Sequence, residues 1–191
     1  MFFRTCRLAI LLSLDSWLAD FTLTQARAAE AVSYLNSTSD ADSVVTFNEV
    51  LYQPANGDPA HEWIELHNQY AVMQDLSDWT IEGGVDFRFP VGTTIAGGGY
   101  LVVAADPAGF TARTGLPASG SFVRRLSDSG DRLILRNLNR RLMDEAEYGD
   151  SAPWPDAADG SGATLAKRVP ASPSSPPENW RASAQVGGTP G

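Results

Sequence analysis

Between Val44 and Gly191 this chain is a succession of short β-favouring blocks, each closed by turn-forming residues. VVTFNEVLY (44–52), HEWIELHN (61–68), DLSDWTIEGG (75–84) and FRFPVGTTIAGGGYLVVAADP (87–107) come first. LSDSGDRLILRN (126–137), MDEAEYGDSAPWP (143–155) and ADGSGATLAKR (158–168) follow. Runs of β-branched and aromatic residues bounded by Gly, Pro, Asn and Asp read as strands. Many short strands at regular spacing, with PAGFTAR (107–113) as the one convincing helical turn, indicate an all-β sandwich.

Alternation within the blocks supplies a candidate core. Val45 and Phe47 point inward, with Val50 or Leu51 after them, and the pattern breaks at Asn48-Glu49, where a bulge is expected. Ile64 and Leu66 oppose Trp63, Glu65 and His67. Trp79 is the expected large core aromatic, and Phe87 and Phe89 share a face before Pro90 ends that strand. YLVVAA is apolar almost throughout, as a central strand would be. Leu133 and Leu135 alternate with Arg132, Ile134 and Arg136, and residues 137–140 turn the chain into a partner strand. Asp106 is placed as the N-cap of the helical turn, with Pro107 at its first position.

The first residues read as an address. Arg4 and Arg7 precede the apolar stretch LAILLSL (8–14), and Ala26-Arg27-Ala28 supplies a cleavage site before Ala29 or Glu30. Residues 1–28 are therefore expected to be a signal peptide, 29–43 a flexible lead-in and 44–191 the sandwich. Asp15 and Asp20 argue against a membrane span, which needs about 20 predominantly apolar residues. The single cysteine, Cys6, lies in the leader, so the exported chain is expected to be held by its core rather than by disulfides. Asp and Glu total 23 against 14 Lys and Arg. That balance opposes nucleic-acid binding, which gains from basic residues displacing counterions.

The order of the blocks, from VVTFNEVLY to the closing PENWRASAQVGGTPG, resembles the lamin-tail domain of nuclear lamins and secreted bacterial proteins. The resemblance implies an immunoglobulin-like β-sandwich that tethers or presents rather than catalyses. In longer bacterial proteins such domains accompany nucleases, phosphatases or spore-coat-like kinases, so the chain reads as a stand-alone module or a fragment of a longer one. Lamin-specific traits are not found: no coiled-coil heptads precede the domain and no prenylation cysteine closes it. The expected function is a secreted, non-enzymatic module for binding, adhesion or tethering to a protein or cell-surface glycan. A glycan partner would need exposed aromatics such as Trp63 or Trp180.

The alternative is a calcium-dependent hydrolase, or an accessory domain of a longer secreted enzyme, using the Glu49/Glu62/Glu65 group. Asn48, Glu49, Asp58, Glu62 and Glu65 lie on or beside two strands expected to pair. Glu and Asp are poor strand residues, and a calcium ion takes about 6–8 oxygen ligands of this kind. The same carboxylates could instead accept backbone N–H groups. Two histidines, His61 and His67, flank one strand; they would sit about 20 Å apart, too far to share a metal. No Gly-x-Ser-x-Gly elbow accompanies them. Asp150 to Asp159 lacks the ligand spacing of an EF-hand loop and reads as turns. Arg124, Arg125, Arg132, Arg136, Arg140 and Arg141 form a local basic group, expected to pair with Asp128, Asp131, Asp144, Glu145 and Glu147.

Overall fold

The computed structural model describes residues 44–191. The expected signal peptide, its cleavage site and the lead-in lie outside the described residues. Twelve strands occupy the described part: β1 (Val45–Leu51), β2 (Trp63–Asn68), β3 (Gln74–Asp75), β4 (Thr80–Gly83), β5 (Phe87–Arg88) and β6 (Thr94–Ile95) come first. They are followed by β7 (Tyr100–Ala104), β8 (Ala118–Ser121), β9 (Gly130–Arg136), β10 (Leu142–Gly149), β11 (Ala163–Lys167) and β12 (Trp180–Val186). One sheet runs β12-β11-β1-β2-β7-β8, a second runs β10-β9-β4-β5, and β3 pairs with β6. All pairings are antiparallel except β7 with β8. This is the all-β sandwich the blocks announce, with the immunoglobulin-like arrangement that the resemblance implies.

The main core lies between the two sheets. Val45, Phe47, Val50, Tyr52, Ile64, Leu66, Val103 and Leu165 meet Ile81, Leu133, Leu135, Ala146 and Tyr148, with Trp79, Phe89 and Leu126 filling the remaining volume. Each strand supplies alternate residues, as the pleat requires. Asp144 is the polar exception. Its carboxylate accepts from the Phe47 N–H at 2.8 Å and from the Ser174 hydroxyl, and burial pushes its pKa up to about 6. Lys167, buried beside it, is pushed down to about 8 by the same desolvation and lies 5.3 Å from the Trp180 ring centre.

The helical turn is an eight-residue helix, α1 (Pro107–Thr114), ended by Gly115 at φ 75°. Asp106 takes the N-cap position without a side-chain hydrogen bond. Three-residue 3₁₀ turns at Pro59–His61, Asp156–Ala158 and Pro177–Asn179 escape the sequence pattern. α1 packs Phe110 against Leu51, Trp63, Val102 and Ala104 on the outer face of the six-stranded sheet. That second cluster explains the unbroken apolar run of β7, because Val103 faces the main core and Val102 and Ala104 face the helix.

The arginines do pair, but not with the whole expected set. Arg132 binds Glu145 at 2.7 Å and Arg125 reaches Asp128 at 3.9 Å, whereas Arg136 and Arg140 converge on Glu82 and Arg124 takes Asp86. Asp144 takes no part, since it faces the core rather than the arginine side of β10. Glu82 and Asp86 escape a reading of the sequence because Glu82 meets its arginines through the pairing of β4 with β9 and Asp86 meets Arg124 through an isolated bridge to Val123, contacts between segments distant in sequence.

Candidate functional site

The acidic group is built by an irregularity in β1. The register against β2 shifts between Phe47 and Glu49, so an extra residue enters the strand and reverses the facing of the residues after it. Without it, Glu49 would share the inner face with Val45 and Phe47. With it, Val50 continues the core while Glu49 and Leu51 turn outward. Glu49 then stands directly opposite Glu65 on β2, and both carboxylates are about 1% exposed.

Two like charges opposite one another on a sheet repel, and burial adds a desolvation penalty. The offsetting donors come from three places. Asn48 donates from Nδ2 to Glu65 Oε1 at 2.8 Å, and the Thr164 hydroxyl on β11 donates to Glu49 Oε1. The remaining donors belong to residues 189–191, which fold back over the sheet after β12. Thr189 gives its N–H to Glu49 Oε1 at 2.9 Å and its hydroxyl to Oε2 at 3.1 Å, while the Gly191 N–H reaches Glu65 Oε2 at 2.6 Å. Burial still pushes Glu65 up to about 7, against the bonds from Asn48 and Gly191, with the Glu49 charge adding to the rise.

Glu62 belongs elsewhere. It alternates with Ile64 and Leu66, and its Oε2 accepts the Leu126 N–H at 2.8 Å. Burial pushes it up to about 7, opposed by that bond and by Arg125. Asp58 is exposed, and its Oδ1 caps the 3₁₀ turn through the Ala60 N–H at 3.0 Å. The five candidate ligands are thus divided: Asn48, Glu49 and Glu65 meet on the outer face, Glu62 lies on the opposite side of the sheet, and Asp58 sits on a loop. Among the described residues no group of three or more His, Asp or Glu side chains is placed to hold a metal ion. The Glu49/Glu62/Glu65 grouping fails for a simple reason, since 62 and 65 differ by an odd number on an extended chain and must face opposite ways.

The histidines stay apart as well. His67 lies 4.7 Å from the Tyr100 ring, with its pKa lowered by burial and its Nδ1 without a hydrogen-bond partner. His61 lines a cavity of about 670 Å³ with Trp63, Phe110, Arg113 and residues 187–190. A second cavity of about 270 Å³ is lined by Glu65, Tyr100, Val102 and Gly191, and Leu116 borders both. Trp63 and Trp180 are buried to 2% exposure, so neither offers a face to a sugar.

The family model described as Lamin Tail Domain matches residues 38–150, more than half of the chain. The chain belongs to the lamin tail domain family. Among curated proteins none matches it. The matched span reaches from β1 through β10, so β11, β12 and the residues that cover Glu49 and Glu65 lie beyond it. The immunoglobulin-like lamin tail fold is typically non-catalytic, and the acidic group of this lamin tail domain is occupied by main-chain and hydroxyl donors. Thr164, Gly188, Thr189 and Gly191 are site residues that the sequence pattern does not single out. The available signal was the Gly187-Gly188 pair directly after a strand, with φ of 85° and 83°.

Proposed function

We propose that this lamin tail domain is a non-enzymatic binding or tethering module that works outside the cytoplasm, on a protein partner. One observation carries the reading: the buried carboxylates best suited to acid–base chemistry are engaged by internal donors instead of converging in an open pocket. Catalytic carboxylates need oxygens free to meet a substrate as well as a shifted proton affinity; Glu62 and Glu65 have the shift, but their oxygens accept from Leu126, Asn48 and Gly191. A protein partner is favoured over a glycan by the burial of Trp63 and Trp180. It is favoured over nucleic acid by the acidic balance of the chain. Export is supported by the leader-like residues 1–28 alone. Among the described residues no helix is long and apolar enough to cross a membrane.

Expression of the full chain in a bacterial host tests both halves of the proposal. Its intact mass outside the cytoplasm should correspond to a chain starting at Ala29 or Glu30; retention of the full-length form in the cytoplasm would defeat the export reading. The exported protein should not turn over ester, phosphoester or glycoside substrates with or without calcium. Turnover that disappears in Glu49→Gln or Glu65→Gln would defeat the non-enzymatic reading.

A further inference from the structure

After β12 the chain leaves the sheet edge and crosses its outer face. Two glycines at positive φ make the turn, with the Gly187 N–H donating to the Gly162 carbonyl at 2.7 Å. Residues 188–191 then lie over β1 and β2, both interior strands whose backbone groups already pair with neighbours. The segment therefore adds no strand to the sheet. Side chains hold it instead, through donors at 189 and 191, spaced as alternate residues of an extended peptide are. A Cβ on Gly188 would come within 2.5 Å of Thr164, 2.6 Å of Glu49 Oε1 and 2.7 Å of the Trp63 ring. Residues 187–190 wall the larger cavity and Gly191 walls the smaller, with Leu116 common to both.

We propose that the outer face of this sheet is a cleft for an extended peptide of the pattern Gly-(Thr/Ser)-x-Gly, and that residues 188–191 fill it as an exchangeable internal occupant. Each position has its own reason. The first must be glycine, because Thr164, Glu49 and Trp63 leave no room for a side chain. The second must offer both an N–H and a β-hydroxyl, because Glu49 accepts from both. The fourth must offer an N–H to Glu65 and take a φ near 102°, which favours glycine. The two cavities become one continuous groove when the segment lifts, from His61 and Arg113 at one end to Tyr100 at the other. A partner segment can then extend past the four central residues in both directions. Without the segment Glu49 keeps only the Thr164 hydroxyl and Glu65 only the Asn48 amide, and a buried carboxylate short of donors is costly, so the cleft favours an occupied state and one occupant is exchanged for another. This rests on the binding-module reading and names the partner's chemistry.

The test uses the full chain and the fluorescently labelled peptide Gly-Gly-Thr-Pro-Gly with blocked ends. Gly188→Val expels the segment by collision. Thr189→Pro releases it by removing an N–H and a hydroxyl, without crowding the floor, and so covers the case in which the first variant misfolds. Hydrogen exchange should rise to the unprotected rate at Thr189 and Gly191 in Gly188→Val, and at Gly191 in Thr189→Pro. The opened chain should bind the peptide saturably, at least about tenfold tighter than the wild type, where the tethered segment competes at an effective concentration in the millimolar range. A peptide with valine in place of its second glycine should not bind, and adding Glu65→Leu to the opened chain should abolish binding. Peptide that fails to bind an opened, folded chain would overturn the cleft, as would unchanged protection of the Gly191 amide in both variants. Either result is independent of the substrate panel and export mass that decide the broader reading.

Discussion

On its inner face the six-stranded sheet meets a second sheet across an apolar layer; on its outer face it meets one short helix and a four-residue segment. Inside, Phe47, Ile64, Leu66 and Leu165 pack against Ile81, Leu133 and Leu135, and the stabilisation is proportional to area and indifferent to direction. Outside, Trp63 and Phe110 form a small cluster. Beside that cluster stand two carboxylates held by five directed hydrogen bonds. Directed bonds to a short segment can be exchanged for equivalent bonds from another chain. An interlocked apolar layer has no such substitute. Such a sandwich can carry function without loosening its fold on the face whose cover is thin and whose bonds are specific.

The largest expected effect comes from cutting into the inner layer. Trp79→Ala should lower the free energy of unfolding by about 3–5 kcal/mol, read as a urea midpoint shift with an unchanged slope. Phe110→Ala removes a side chain of similar burial from the outer cluster. It should move the global midpoint less than Trp79→Ala, because α1 can open locally while the sandwich persists. Amide exchange in residues 107–114 should accelerate in the same variant. An equal global loss for both substitutions would mean that the outer cover unfolds only with the core.

Protonation probes the two faces separately. Glu62 and Glu65 both have folded-state pKa values raised to about 7. Their contribution to stability is therefore present below their ordinary value near 4.5 and is lost as pH rises through about 7. The melting temperature should fall between pH 5 and pH 8. Glu62→Gln keeps an acceptor for the Leu126 N–H and should flatten the inner-side share of that slope; Glu65→Gln should flatten the outer-side share. A slope unaffected by either would assign the pH dependence to other groups.

Smaller effects sharpen the picture. Arg132→Ala breaks an exposed pair with Glu145 and should cost only about 0.2–1 kcal/mol. Calcium titrated into the millimolar range, where extracellular sites bind at about 10⁻⁴–10⁻³ M, should leave the melting temperature unchanged, because the carboxylate oxygens already have donors. A saturable rise lost in Glu65→Gln would show that the ion displaces residues 189–191.

Much of the sandwich is legible without coordinates. The alternation of Ile64 with Trp63 and Glu65, the break at Asn48-Glu49 and the Leu133–Leu135 hairpin all correspond to observed facings, because a pleat has a period of two and apolar residues go where water is excluded. The candidate site is legible only in part. The bulge and the pairing of β1 with β2 bring Glu49 to Glu65, as their placement on adjacent strands suggests. Glu62 joins them by proximity in sequence alone, although the same period of two assigns it to the other side.

The sequence by itself determined the class of fold, the inner core and the sense of the net charge, since each follows from local pattern or from composition. Only the tertiary structure decided that Trp63 and Glu65 are buried on an outer face, that Glu82 and Asp86 receive the arginines, and that Thr164, Thr189 and Gly191 satisfy the acidic pair. Those contacts join residues as far apart as 140 positions. A donor brought from that distance leaves no periodic trace in the chain, and its position is set by the sheet order that places β11, β1 and β2 side by side.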